Sequence, residues 1–385
     1  MNQVTRTSLV ITATATIFGL TYGLSAPLIA LELAEAGYSE SFIGANGAMY
    51  AVGVLLAAPF LPRFFDRFGF GRLAKSALVG AGSILLLFPA APFLWIWFPL
   101  RAALGAVSET LFVVSEAWLN HLASAASRGR LIALYMTALS CGTALGPAIL
   151  ALVGRHELWA FVIGAAVTFA AYIVLVIGRP KEPEPGRENI GNPLRYLKLV
   201  PAAVASAALN AALEAAGLSL LPIYAVNLGW PEQSATILLT VLLIGSITLQ
   251  LPIGWLGDRM QRSKLLVLLA ILAALGAAFW PAALTHAWLA YPLLFVWGGV
   301  FVGIYTTTVA MLGDHYEGSE LIGIYALLSV AWGIGAFAGP LLCGIAMEVT
   351  LHGLPLFAAL TCGAFVLFSV FLPIKGRVLD RDLVR

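Results

Sequence analysis

Three ionisable side chains stand inside one apolar run of this sequence: Arg101, Glu109 and Glu116. A charge in the bilayer interior costs upward of about 2.5 kcal/mol even on a lenient insertion scale, so each such residue needs a partner or a task. Glu109 and Glu116 are seven residues apart. On a helix that is about two turns, which puts them on one face roughly 10 Å apart along the axis. Arg101 precedes Glu109 by eight residues and lies about 80° round the helix, still on the polar side. A second candidate pair sits in the other half of the chain, where Asn210 and Glu214 are four apart and face the same way. Counted between Lys198 and Gly229, Glu214 falls near mid-span, at the depth of Glu109. A carboxyl group in an apolar surrounding keeps its proton more readily than one in water. Two acids at equal depth in opposite halves therefore suit the coupling of a solute to a proton. Two other readings stay open: an internal salt-bridge ladder in the Arg101 run, and a protonated Glu214 bonded to a backbone carbonyl. Arg101 itself can either attract a carboxylate or phosphate or be neutralised by Glu109.

The elements that must hold these residues are membrane spans. The chain has 385 residues, 61% of them hydrophobic and only 10% charged, with a mean hydropathy of +0.94. Soluble globules carry about 25% charged residues, and disordered chains need still more charge and less apolar content. A crossing helix takes about 20 apolar residues. The long unbroken runs also lack the period-two alternation of a barrel. Charged residues mark off spans near 7–31, 41–62, 73–91, 93–121, 131–152, 158–178, 199–228, 234–256, 264–283, 288–312, 320–346 and 353–374. The first run is too long for the core of a cleaved signal peptide. With the amino terminus inside, 19 of the 21 Lys and Arg residues fall in cytoplasmic segments, the bias that orients membrane proteins. Only Arg155 is outside and only Arg101 is within a span. This predicts a multi-pass protein with both termini cytoplasmic.

The proline- and charge-rich segment from Arg179 to Lys198 divides the chain into a first half at 1–178 and a second at 199–385. There is no phosphate-binding G-x-x-x-x-G-K-[ST] loop, so a gradient or a partner must drive any movement of solute. Net charge is +2, too balanced to imply nucleic acid. Cys141, Cys343 and Cys362 are widely spaced packing residues, and the five histidines show no metal-ligand spacing. No metal or other cofactor is expected.

Two motifs repeat at one offset. Asp66-Arg67, followed by Arg72, lies 192 residues before Asp258-Arg259, which is followed by Arg262. Gly142-x-x-x-Gly146-Pro147 recurs 193 residues later as Gly335-x-x-x-Gly339-Pro340. This is the mark of a duplicated six-span unit. The two loops resemble the signature G-x-x-x-D-R-x-G-R-[RK] of the major facilitator superfamily. The first copy has Pro62 and Phe70, and the second Gln261, where that pattern differs. The stretch Arg101-x-x-x-Gly105, Ser115-Glu116-Ala117, Arg128-Gly129-Arg130-Leu131, Tyr135 and Gly142-Thr143 is similar to the bacterial YcaD-like branch, as are Pro222-Ile223-Tyr224 and Pro252-Ile253-Gly254. The resemblance implies an all-α polytopic membrane protein with twelve transmembrane helices in two pseudo-symmetric six-helix bundles. It also implies a central cavity opening to alternate sides and a place in the bacterial inner membrane.

On that frame Asp66 and Asp258 can cap helices of the opposite bundle, where the helix dipole favours a negative group. Arg67, Arg72, Arg259 and Arg262 can pair with acids such as Glu116 or Asp314 at the inner ends of spans 4 and 10. Such contacts would form a cytoplasmic gate made only when that side is closed. Tyr22, Asn46, Tyr50, Tyr135, Gln250, Tyr305 and Trp332 are candidates to line the cavity, although each can equally be interhelical packing. The Gly-x-x-x-Gly-Pro elements invite an antiporter reading, but close helix approach and a proline bend account for them. The expected function is proton-coupled transport of a small organic solute by a monomer in the lipid bilayer. A receptor or scaffold that keeps the fold is the alternative, and no nucleophile–base pair suggests an enzyme.

Overall fold

The structure, a computed structural model, describes residues 3–122, 128–154, 159–182 and 193–371. The interior of the linker, with Arg187, and the basic residues Arg155 and Lys375 to Arg385 lie outside the described residues. Twelve helices are long and apolar enough to cross a membrane. They are α1 (Thr5–Glu35), α2 (Glu40–Phe68), α3 (Phe70–Ala90), α4 (Leu94–Leu122), α5 (Arg130–Val153) and α6 (Trp159–Gly178), then α7 (Pro201–Asn227), α8 (Glu232–Arg259), α9 (Arg262–Ala283), α10 (Ala287–His315), α11 (Gly323–Val349) and α12 (Gly353–Phe371). These spans agree with those read from the charged residues to within a few positions. The largest difference lies at the basic end of α2, which, like α8, continues through its Asp-Arg pair.

The helices pack as two bundles of six with matching neighbours. In the first bundle α1 lies against α5, α2 against α4 and α3 against α6; in the second α7 lies against α11, α8 against α10 and α9 against α12. Lipid supplies no hydrophobic drive for helices to associate, so close packing at small residues does this work. A Cβ at Gly142 would overlap the Thr16 carbonyl on α1, and one at Gly335 would overlap the Ala208 carbonyl on α7. Gly53 meets the Ala102 carbonyl and Gly105 that of Tyr50, joining α2 to α4. At the same sequence offset, Gly245 meets the carbonyl of Phe295 and Gly298 that of Leu242, joining α8 to α10. The duplicated Gly-x-x-x-Gly-Pro elements therefore serve helix packing in both bundles.

The bundles meet along α2 with α11, α5 with α8, and α1 with α7. At the end marked by Glu40 the seam is tight: Gly44 of α2 lies against the backbone of Pro340, and Gly344 of α11 against the Glu40 carbonyl. There Asn227 Nδ2 donates to Glu40 Oε1 across the seam at 2.9 Å. Toward the Lys/Arg-rich end Asp66 and Arg67 are exposed, and among the described residues neither bonds to the other bundle. Gly245→Ala should lower thermal stability by about 1–3 kcal/mol through backbone overlap. Gly363→Ala, with nothing within 4 Å of the new Cβ, should leave the melting temperature unchanged within error.

Candidate functional site

The close contact of Gly105 with the Tyr50 carbonyl fixes how α4 presents Arg101. The side chain is 3% exposed, and its Cζ lies 5.4 Å from the centre of the Tyr50 ring. Tyr22 of α1 packs against Tyr50, with ring centres 5.1 Å apart at a 38° tilt. Nε and Nη1 of Arg101 are buried with no hydrogen-bond partner. Of the readings left open for α4, the salt-bridge ladder is not formed between Arg101 and Glu109, which make no ion pair. A helical side chain points back toward its own amino terminus, so Arg101 turns away from Glu109 and toward Tyr50.

Glu214 approaches the same two rings from α7. Its charge and that of Arg101 both act on Tyr22 and Tyr50. Ala51 and Ala211 pack together with Ala336, and Ala215 and Trp332 lie against them. This small-residue contact sets Tyr50 and Glu214, one position away on each helix, at a common depth. Thirteen residues separate Glu214 from Asn227, about 20 Å of helix, near the middle of α7. Tyr22, Tyr50 and Glu214 all keep accessible surface at that depth, as groups lining an internal space do. Behind Glu214, within its own bundle, a recess of about 20 Å³ is walled by Leu213, Gly217, Leu242, Trp280 and Trp297. One helical turn from the central residues, Asn46 and Asn210 are buried, with Nδ2 of the first and Oδ1 of the second unpartnered.

A second layer lies deeper. Glu109 and Glu116 are partly exposed, and both act on Tyr135 of α5, whose buried hydroxyl is unpartnered. Tyr305 of α10 lies within electrostatic reach of Tyr325 in its own bundle and of Glu116 in the other. Tyr325 went unnoticed in the sequence; it is a polar aromatic on a seam helix, which was the signal available. Gln250 is engaged within its bundle: its Oε1 accepts from Thr306 Oγ1 at 2.7 Å and its Nε2 donates to the Ser246 carbonyl at 2.8 Å.

One contact expected of the gate is made, Arg262 with Asp314, whereas among the described residues Asp66 and Asp258 cap no helix of the opposite bundle. Arg262 pairs with Asp314 at 2.9 Å and with Asp258 at 3.5 Å, all inside the second bundle. Arg259 lies over Trp255 and Arg67 over Phe68, and Arg72 is exposed. At the first loop the Glu182 carboxylate from the linker sits against Gly69 and Gly71, at the start of α3 where the dipole favours an anion. The linker is strapped there, since Trp118 Nε1 donates to the Lys181 carbonyl at 2.7 Å and Lys181 N donates to Thr7 Oγ1 at 3.3 Å.

The sequence profile of the Major Facilitator Superfamily matches residues 11–241 and 202–383. The chain belongs to that superfamily. It is 28% identical over 345 residues to the uncharacterized MFS-type transporter YfkF of Bacillus subtilis, covering 86% of this chain and 83% of the relative. To the uncharacterized MFS-type transporter YcaD of Salmonella enteritidis it is 26% identical over 324 residues, covering 83% and 84%. Among solved structures, the nucleoside transporter NupG superposes with a TM-score of 0.82 at 11% identity over 95% of this chain and 99% of that one. A D-xylose–proton symporter superposes with a TM-score of 0.72 at 15% identity over 94% and 96%. Those likenesses show the fold, and the superfamily is one of small-molecule transporters rather than enzymes. The described groups permit a direct test of how this member arranges its charges. In a double-mutant cycle the losses from Arg101→Gln and Glu109→Gln should add to within about 0.5 kcal/mol, as they do for residues sharing no contact. Thermal melts of the two single variants and the double variant measure this.

Proposed function

We propose that the chain is a secondary active transporter of the bacterial inner membrane, moving a small organic solute by alternating access and coupled to protons. The observation that carries this reading is a pair of opposite charges at the seam between the bundles, Arg101 with unpartnered Nε and Nη1 on one side and Glu214 on the other, around Tyr22 and Tyr50. A scaffold or receptor that merely kept the fold would have no use for unpaired mid-membrane charges, which are costly. Neutralising pairs or apolar replacements would serve it better.

The bonded Glu40 end and the unbonded Lys/Arg-rich end fit a state open to the cytoplasm, if the basic loops face inward. In the opposite state Asp66 and Asp258 would find partners across the seam, where they now have none. Glu214 and Glu109 are the candidates for carrying the proton, because each is a carboxyl beside the tyrosine cluster. The name of one fold neighbour, a D-xylose–proton symporter, lends the coupling some support. The protein is taken to act as a monomer, since the cavity lies between the two halves of a single chain.

The test is flux in proteoliposomes, using a solute found by thermal stabilisation of the purified protein. With an inward-directed proton gradient the native chain should concentrate that solute. Glu214→Gln or Glu109→Gln should reduce accumulation to the level seen without a gradient. Glutamine mimics the protonated acid in shape, so the carrier is frozen in its loaded form. Undiminished accumulation by both variants would overturn proton coupling through these residues.

A further inference from the structure

A buried polar atom left without a hydrogen bond costs about 1–3 kcal/mol, so native proteins keep few of them. Trp97 and Trp280 each leave an indole N–H unpartnered inside one bundle, and Tyr135 leaves a hydroxyl. The rest at mid-seam divide by type and by side. The first bundle offers donors: Nε and Nη1 of Arg101, and Nδ2 of Asn46. The second offers acceptors: Oδ1 of Asn210 and, one turn along the same helix face, the unpaired carboxylate of Glu214. The Ala51–Ala211 contact holds α2 and α7 together at this level, and the Tyr22–Tyr50 pair lies beside Arg101.

From this split we infer that the transported solute is a small zwitterion, with an anionic and a cationic group a few bonds apart, as in an amino acid or a betaine. The inference rests on the transporter reading and names the substrate class of that same site. The anionic group pairs with the Arg101 guanidinium and the Asn46 amide. The cationic group pairs with Glu214 and the Asn210 carbonyl, and the faces of Tyr22 and Tyr50 add the attraction of a ring for a cation. A zwitterion leaves every buried charge in the site paired. A simple anion leaves Glu214 bare, and a simple cation leaves Arg101 bare, each a severe penalty at this depth. Because the two ends of the ligand engage different bundles, only the zwitterion bridges the seam.

The experiment is thermal unfolding of the purified full-length chain with three zwitterionic probes, L-leucine, L-phenylalanine and glycine betaine. The charge-blocked controls are L-leucinamide, N-acetyl-L-leucine, L-phenylalaninamide and N-acetyl-L-phenylalanine. At saturating concentration at least one zwitterion should raise the melting temperature by about 2–4 °C or more, and the blocked controls should not. Arg101→Gln and Glu214→Gln should each abolish the shift while still melting cooperatively. Arg101→Lys, which keeps the charge, should retain part of it. The proposal is overturned if no zwitterion stabilises the protein, if a blocked control does so equally well, or if the shift survives in both neutral variants. It is also overturned if proteoliposomes concentrate only solutes of single charge, a result that would leave proton-driven transport standing. Absence of any gradient-driven flux, with zwitterion binding intact, would instead remove the transporter reading and spare the ligand class.

Discussion

Arg101 carries a guanidinium to the middle of an apolar assembly, and no acid meets it there. Its surroundings are organised around that unpaired charge. The Tyr50 ring covers one face, Tyr22 packs against Tyr50, and the acids within electrostatic reach of these rings are Glu214 in the other bundle, near both, and Glu109, near Tyr50. Pairing Arg101 with Glu109 inside α4 would neutralise both, and the site would then have nothing to offer a ligand. Keeping them apart leaves an attraction that only a solute, or a change in the relation of the bundles, can satisfy. The cost is borne by tight backbone packing on either side.

That packing is duplicated, whereas the chemistry is not. Glycines 53 and 105 in the first bundle and 245 and 298 in the second bring equivalent helices into backbone contact. Two copies of one unit thus build a near-symmetric frame, with the seam along its axis. Tyr22 and Glu214, 192 residues apart, occupy equivalent places and carry different functional groups. Leucines stand in the second half around the position that corresponds to Arg101. A symmetric frame with an asymmetric pair of charges gives the cavity a direction, cationic on one wall and acidic on the other. A solute can therefore be oriented as it passes from one side to the other.

Much of this was legible from residue order because the bilayer imposes strong rules. Apolar run length gave the spans, and the repeat offset gave the two bundles. The glycine spacing marked α5 and α11 as helices of close approach, and the structure supplies their partners, α1 and α7. Side-chain pairing was harder to read. Arg101 and Glu109 share a helix side, but eight residues set them about 12 Å apart along the axis, and no ion pair forms. The Asp-Arg loops showed their number and place, yet Arg262 finds Asp314 and Asp258 in its own bundle, because acids close in space are available without crossing the seam. Glu182 took the helix start beside Gly69, a contact set by where the linker leaves α6, which periodicity does not encode. The Glu40–Asn227 bond joins residues 187 positions apart, and no local pattern announces such a pair.

The central claim is that the two bundles rock about the Arg101–Glu214 site, so that one mouth opens as the other closes. Distances between spin labels test it most directly, with one label on each bundle at the Glu40 end in one sample and at the Asp66 end in another. Cys141, which is exposed, is replaced beforehand. Two populations are expected in each sample, and conditions that lengthen the Asp66-end distance should shorten the Glu40-end distance. A single unchanging distance at both ends, or two mouths that widen together, would contradict the account.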